Sequence, residues 1–159
     1  MPDWITHVLV AWTLATILGF RFKEFSQPNS VIVILGALIP DLVKINILLW
    51  QLGLMYYDNF VVPIHLPIGS LLIAGLITLF FEKRKLIFSL LSIGILTHYS
   101  LDLLLFGGGI ELLYPLNYIK WQIGIISVTD FNITLISIVI ALVTYLIYKT
   151  VNNTKMVFS

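Results

Sequence analysis

The sequence predicts an all-α, polytopic membrane protein with about five transmembrane helices. Of its 159 residues, 59% are hydrophobic and 11% are charged, whereas a soluble domain is about half apolar and about a quarter charged. The mean hydropathy is +1.02. Such a chain has too little polar surface for a water-soluble globule, so a bilayer must supply most of its solvent. We therefore expect a multi-pass protein of the cell membrane, with one helical domain at 1–150 and a short cytoplasmic tail at 151–159.

Composition also argues against several functions. The net charge of +1 gives no electrostatic case for binding nucleic acid. The chain has no cysteine, which excludes disulfides, thiolate metal ligands and a cysteine nucleophile. The apolar N-terminal stretch is not predicted to be a signal peptide, because Asp3 stands where a basic region is expected and Arg21 follows instead of a cleavage site.

Five stretches approach the roughly 20 apolar residues that a spanning helix needs. The second is interrupted at Pro40-Asp41, and the fourth carries His98 and Asp102. The predicted spans are 4–20, 30–50, 63–81, 86–106 and 131–148.

The charges of the connections predict an orientation. Seven of the nine basic residues fall into three clusters that alternate with segments poor in Lys and Arg, and Lys44 and Lys120 are the exceptions. The positive-inside rule then places the N-terminus outside and the C-terminus in the cytoplasm. The basic clusters are Arg21 with Lys23, Lys83 with Arg84 and Lys85, and Lys149 with Lys155.

The segment 107–130 is unusually apolar for a connection. Three glycines from Gly107 are predicted to end the fourth helix, and Pro115 and Gly124 interrupt the apolar residues that follow. Two interpretations stay open: an interfacial or re-entrant segment with Tyr and Trp at the headgroups, or a loop packed on the bundle. Asp58 and Asp130 are expected to be ordinary loop or capping acids.

Ionisable residues within apolar helices are the candidate functional residues, because an Asp at the bilayer centre costs roughly 2.5–3.5 kcal/mol. At about 1.5 Å per residue, His98 lies roughly 18 Å and Asp102 roughly 24 Å from the cytoplasmic start of the fourth span. Asp41 lies roughly 16 Å into the second. With His7 and His65 near outer helix ends, the whole set is predicted in the outer half of the bilayer.

Spacing indicates a metal site. His98 and Asp102 are four residues apart and share one helix face, a spacing also found between metal ligands on helices. Imidazole nitrogen and carboxylate oxygen suit Zn²⁺, Mn²⁺ or Fe²⁺. Gly36 and Pro40 would loosen the backbone beside Asp41 and help it to turn inward.

Other interpretations of the same residues stay open. Each histidine could be a hydrogen-bonded core residue, and His7 and His65 could be interface residues. Asp102 and His98 could form a proton relay, or Asp102 could hold the His98 tautomer. Lys44 either extends toward the membrane surface or pairs with Asp41, which would then not be a free ligand.

Four short motifs carry a resemblance to a known family. They occur in the order MPDWITH at 1–7, GALIPD at 36–41, HLPIGS at 65–70 and GILTHYSLD at 94–102. Over residues 1–120 the chain resembles the YdjM-like inner-membrane metal-dependent hydrolases, which are distantly similar to zinc-dependent phospholipase C.

The resemblance implies a divalent metal, with Zn or Mn favoured, and hydrolysis of a phosphoester or lipid-like substrate. Asp41 or Asp102 would serve as general base or orienting group. The chain departs from the family pattern at Val43, where a second aspartate is usual, and at Leu66 and Gly69 in the third-span motif. The implied metal ligands are His7, Asp41, His65, His98 and Asp102.

The leading hypothesis is therefore a membrane-embedded metal-dependent hydrolase that acts on lipids or other amphiphiles. The alternative is a non-catalytic accessory subunit with a degenerate metal site, in contact with a membrane-protein partner or a second copy of itself. An ion transporter ranks last, because the polar set reaches only one side of the membrane.

Overall fold

The structure is a computed structural model that describes residues 4–54, 63–107, 109–127 and 131–157, the last four of these by backbone alone. Asp3, Asp58 and Asp130, on which parts of the sequence analysis depend, lie outside the described residues. The side chain of Lys155 is not described either. The described chain is mostly helical. Its elements are α1 (Trp4–Gly19), α2 (Gln27–Leu38), α3 (Val43–Gln51), α4 (Pro67–Thr78), α5 (Arg84–Leu104), β1 (Leu105–Phe106), β2 (Ile126–Ser127) and α6 (Asn132–Val157), with 3-10 turns at Lys23–Phe25 and Pro40–Leu42.

Each of the five predicted spans overlaps at least one helix of the structure, and the second span is broken where proline predicted it. The helices α2 and α3 meet at an angle of 50° around the turn Pro40–Leu42. Proline lacks the N–H that would continue the helical hydrogen bonds, and its ring clashes with the preceding turn. The break exposes backbone groups in the middle of an apolar segment, which only a protein-lined interior tolerates.

Two of the described helices, α5 and α6, are long and apolar enough to cross a membrane, and the bent pair of α2 and α3 makes a third candidate. The other two apolar helices are shorter: α1 has 16 residues and α4 has 12. The described helices therefore include two to three candidate spans, fewer than the five predicted. The difference arises because α1 and α4 are shorter than the roughly 20 residues of a full crossing.

The ends of two helices differ from the prediction. The helix α5 ends at Leu104, before the glycines at 107–109, because Leu105 leaves the helix to begin β1. The helix α6 continues to Val157 and so includes most of the residues that were predicted to form a short tail at 151–159.

The apolar segment after α5 is extended rather than helical in its described part. Strand β1 pairs in parallel with β2, and Ile110 pairs with Trp121 in an antiparallel bridge. Ile110 is buried against Ile39 and Tyr99, so part of the segment packs on the bundle. Leu116, in contrast, is 91% exposed.

The helices α2 and α5 approach each other closely at two glycines. A Cβ atom on Gly94 would collide with the Val33 carbonyl oxygen, and one on Gly36 would collide with the Leu91 carbonyl oxygen. Small residues at helix crossings allow this kind of backbone contact in membrane proteins. The crossing brings the Ala37 carbonyl within reach of α5, where it becomes part of the site below.

Candidate metal centre

Four elements of backbone place the five candidate residues in one cluster. His7 lies on α1, Asp41 in the turn between α2 and α3, His65 in the turn before α4, and His98 and Asp102 on α5. The His7 and His98 rings stack with centroids 3.8 Å apart and an interplanar angle of 13°. The His65 ring stands edge-on to His98, with centroids 5.5 Å apart. All of the sequence-predicted site residues therefore meet.

Asp102 is surrounded by the three histidines. Its Oδ2 atom lies 3.3 Å from His65 Nε2 and 3.3 Å from His98 Nε2. Its Oδ1 atom lies 3.7 Å from His7 Nε2. Among the described residues, the ionic contacts of Asp102 are all with histidines, so its charge is balanced only by a proton or a bound cation.

Asp41 has a different environment, because it pairs with Lys44. The Lys44 Nζ atom donates a hydrogen bond to Asp41 Oδ2 over 2.5 Å. The other oxygen, Oδ1, lies 3.9 Å from His98 Nε2 and 4.0 Å from His65 Nδ1. Of the two interpretations of Lys44, the structure shows pairing, and it engages one carboxylate oxygen and leaves the other facing the histidines.

Most of the cluster is buried in the described part of the structure. His7 and His98 are 0% exposed, and Asp41 and Asp102 are also buried. His7 is therefore not an interface residue. The side chain of His65 is 16% exposed and that of Lys44 is 23% exposed. Among the described residues, His65 and Lys44 are therefore the members of this group whose side chains are partly exposed.

Two backbone carbonyls determine which nitrogen of the His98 and His65 rings is available to bind a metal ion. His98 Nδ1 donates to the Ala37 carbonyl over 2.8 Å, and His65 Nδ1 donates to the Pro40 carbonyl over 3.1 Å. A carbonyl oxygen only accepts, so the proton of each neutral ring lies on Nδ1 and the Nε2 lone pair points into the cluster. Metal-binding histidines are held in the same way, with the second nitrogen donating to a backbone carbonyl or a carboxylate.

The residues present fit a divalent metal ion. Two groups have ligand atoms within 4.8 Å of one another: His7, His98 and Asp102, and Asp41, His65 and His98. Buried polar atoms normally have hydrogen-bond partners, yet several ligand atoms of the cluster have none among the described residues. These atoms are Nδ1 and Nε2 of His7, Oδ1 of Asp41, Nε2 of His98 and Oδ1 of Asp102.

Sequence reasoning missed two residues that hold the His65 turn. The buried Ser70 hydroxyl donates to the Ile64 carbonyl over 2.7 Å and contacts the Tyr99 hydroxyl at 2.7 Å. Tyr99 also donates to the carbonyl of His65 itself, over 3.1 Å. The signal available in the sequence was a tyrosine next to His98 in an apolar helix, since a buried tyrosine hydroxyl needs a partner.

The positions at which the chain departs from the family pattern supply no ligand. Val43 is 7% exposed and apolar. At Gly69 a Cβ atom would collide with the Pro63 carbonyl oxygen, so the turn before α4 leaves no room there for a histidine. Within the described ranges, the cluster therefore consists of three histidines and two aspartates.

The fold and the cluster together define a mostly helical membrane protein with a buried His/Asp group able to hold a cation. The family model described as "YdjM inner membrane protein" matches residues 1–158. The chain therefore belongs to the YdjM inner membrane protein family, as the motifs at 1–7, 36–41, 65–70 and 94–102 predicted. No curated protein and no solved structure matches the chain.

Proposed function

We propose that this protein is a membrane-embedded, divalent-metal-dependent hydrolase that acts on a phosphoester or lipid-like substrate. The observation that carries the proposal is the orientation of His98, whose Nδ1 donates to the Ala37 carbonyl and whose buried Nε2, a lone pair in the neutral ring, faces Asp102. A lone pair 3.3 Å from a carboxylate oxygen is repelled unless a cation lies with them.

His65 repeats this arrangement on the same oxygen. Its Nε2 atom also lies 3.3 Å from Asp102 Oδ2, and its Nδ1 proton is likewise taken by a carbonyl. Two imidazole lone pairs therefore converge on one carboxylate oxygen in a buried site, where unpaired charge is costly. Either a metal ion or extra protons on the two rings would stabilise this convergence, and three histidines with two carboxylates are a donor set that suits Zn²⁺ or Mn²⁺.

The residues that would hold the ion are His7, His98 and Asp102, with His65 beside them. When bound, a divalent ion supplies Lewis acidity that polarises the substrate and makes water a stronger acid. Asp41 is the candidate general base, because its Oδ1 atom has no hydrogen-bond partner among the described residues and faces His98. The Ala37 and Pro40 carbonyls orient the two rings.

An amphiphilic substrate is supported by the surroundings of the cluster. The exposed surface is rich in large apolar side chains, including those of the segment at 113–125. Access to the buried carboxylates lies at His65 and Lys44. We also propose the five-span topology with an outer N-terminus and a cytoplasmic C-terminus, which would place the cluster in the outer half of the bilayer.

The test is the metal content of purified protein after equilibration with Zn²⁺ or Mn²⁺. We expect bound metal in the natural protein and loss of it in His98→Ala. Ser100→Ala is the matched control, because Ser100 is exposed on the same helix and its hydroxyl donates to the Leu96 carbonyl on that helix, away from the cluster residues named above. A fluorescent phospholipid or an aryl phosphate in detergent then reports hydrolysis, which a chelator should abolish. Natural protein without metal would refute the proposal.

A second candidate is a non-catalytic subunit of a membrane complex. It is favoured by Val43 and Gly69, which cannot act as ligands, and by the capture of one Asp41 oxygen by Lys44. In that case the protein copurifies with a stoichiometric partner, and His98→Ala and Asp102→Ala leave the assembly intact. Metal-dependent turnover by the isolated chain excludes this candidate as the sole function.

A further inference from the structure

The two candidate ligand groups cannot both be complete at the same time, because they share His98. One nitrogen of that ring, Nδ1, is committed to the Ala37 carbonyl. Only the Nε2 lone pair remains, and a single lone pair binds a single ion. The cluster therefore has two carboxylates but one complete set of nitrogen ligands.

The two carboxylates differ in what neutralises them. Asp41 carries the ammonium of Lys44 on Oδ2, whereas the ionic contacts of Asp102 with other described residues are all with histidines. A buried carboxylate without a cation is strongly destabilising. Asp41 is already neutralised from within the chain, so the demand for an external cation falls on Asp102.

We infer that the Lys44 ammonium takes the place of a second divalent ion, so that the protein binds one ion at Asp102 and keeps Asp41 as a charged, non-ligating group. This inference rests on the proposed function, because it assumes that the cluster binds metal. It makes Lys44 a positioning residue: the ammonium holds Oδ2 and thereby directs Oδ1 toward His98, 3.9 Å from its Nε2 atom.

The position of Lys44 is suited to this role. It lies three residues after Asp41, one turn along the chain, so the pair forms locally and does not depend on a distant contact. Its side chain is 23% exposed, and a long lysine side chain can keep part of its length in polar surroundings while its head group binds inward. The pair thus costs less desolvation than a fully buried ion pair would.

The experiment counts Zn²⁺ or Mn²⁺ ions per chain by equilibrium dialysis of purified protein. We expect one ion in the natural protein and one in Lys44→Arg, which keeps the cation. Lys44→Met should bind a second, weaker ion, which disappears in the double variant with Asp41→Asn. Two ions in the natural protein, or a single ion in folded Lys44→Met, would overturn the inference.

A second arm does not depend on the folding of Lys44→Met. The Asp41→Asn variant should still bind one ion, whereas the Asp102→Asn variant should lose it. The reason is that, of the two aspartates, Asp102 alone is inferred to be a ligand. Loss of the ion from Asp41→Asn as well would show that Asp41 is a ligand and would overturn the inference. Absence of any ion from the natural protein would instead refute the proposed function itself, so the two failures are distinguishable.

Discussion

At the scale of single residues, the proposed metal site depends on groups that would not themselves bind the ion. His65 and His98 have the right lone pairs only because the carbonyls of Pro40 and Ala37 accept their Nδ1 protons. The turn that carries His65 is held in turn by Ser70 and Tyr99. Groups of this kind around metal sites typically change affinity by roughly 10–100-fold when removed.

Tyr99→Phe tests this supporting layer. The variant removes the hydroxyl that donates to the His65 carbonyl and should weaken Zn²⁺ or Co²⁺ binding by roughly tenfold or more, with a change in the visible spectrum of the Co²⁺ form. Helix content should be unchanged. Tyr145→Phe is the control, since Tyr145 is 47% exposed on α6. Equal Co²⁺ affinity and equal spectra in the two variants would show that Tyr99 does not position His65.

At the scale of elements, the α2–α5 crossing decides whether the site exists. The Ala37 carbonyl reaches His98 because Gly36 and Gly94 let the two backbones touch. A side chain at either glycine would separate the helices, since closely packed interiors absorb added volume poorly.

Substitutions of two glycines by alanine should therefore have opposite effects. At Gly94 a Cβ atom meets the backbone of α2, while at Gly75 it meets nothing within 4 Å. We expect Gly94→Ala to destabilise the protein by about 1–3 kcal/mol and to weaken metal binding. Gly75→Ala should be neutral or stabilising by up to about 1 kcal/mol, since alanine favours helix. Thermal unfolding in detergent compares them, and coincident melting curves would contradict the role of the crossing.

At the scale of the whole molecule, charge and apolar length bear on the topology. Among the helices of the described ranges, only α5, α6 and the bent pair of α2 and α3 have the length and hydropathy of a span. Under the positive-inside rule, Lys83 and the first residues of α5, Arg84 and Lys85, predict that this end of the helix is cytoplasmic. The helices α1 and α4 are too short to cross the bilayer alone. The proposed five-span topology therefore requires that residues flanking these two helices complete the crossing.

The proposed orientation can be tested cleanly, because the natural chain has no cysteine. Lys83→Cys should react with a membrane-impermeant maleimide only after cells are permeabilised, because it is predicted to be cytoplasmic. Asn117→Cys should react in intact cells, because it is predicted to be outside. The reverse pattern would invert the topology, and labelling of both in intact cells would reduce the number of spans.

The part of the site that could be predicted from the sequence consists of ionisable residues, because burying such residues in an apolar helix costs free energy. His7, Asp41, His65, His98 and Asp102 stood out for that reason, and all five meet in the structure. Their roles as ligands or base remain predictions. Ser70 and Tyr99 were not found, because a hydroxyl in an apolar helix is common and its partners lie far away in the chain.

The sequence by itself determined that the protein is a helical membrane protein, that its second apolar stretch breaks at Pro40, and which ionisable residues it commits to the apolar interior. These follow from composition and local backbone chemistry. Only the tertiary structure decided that Lys44 pairs with Asp41, that the His98 proton lies on Nδ1, and that the two ligand groups share one nitrogen. Each of these depends on distances between side chains, which the order of residues along the chain does not fix.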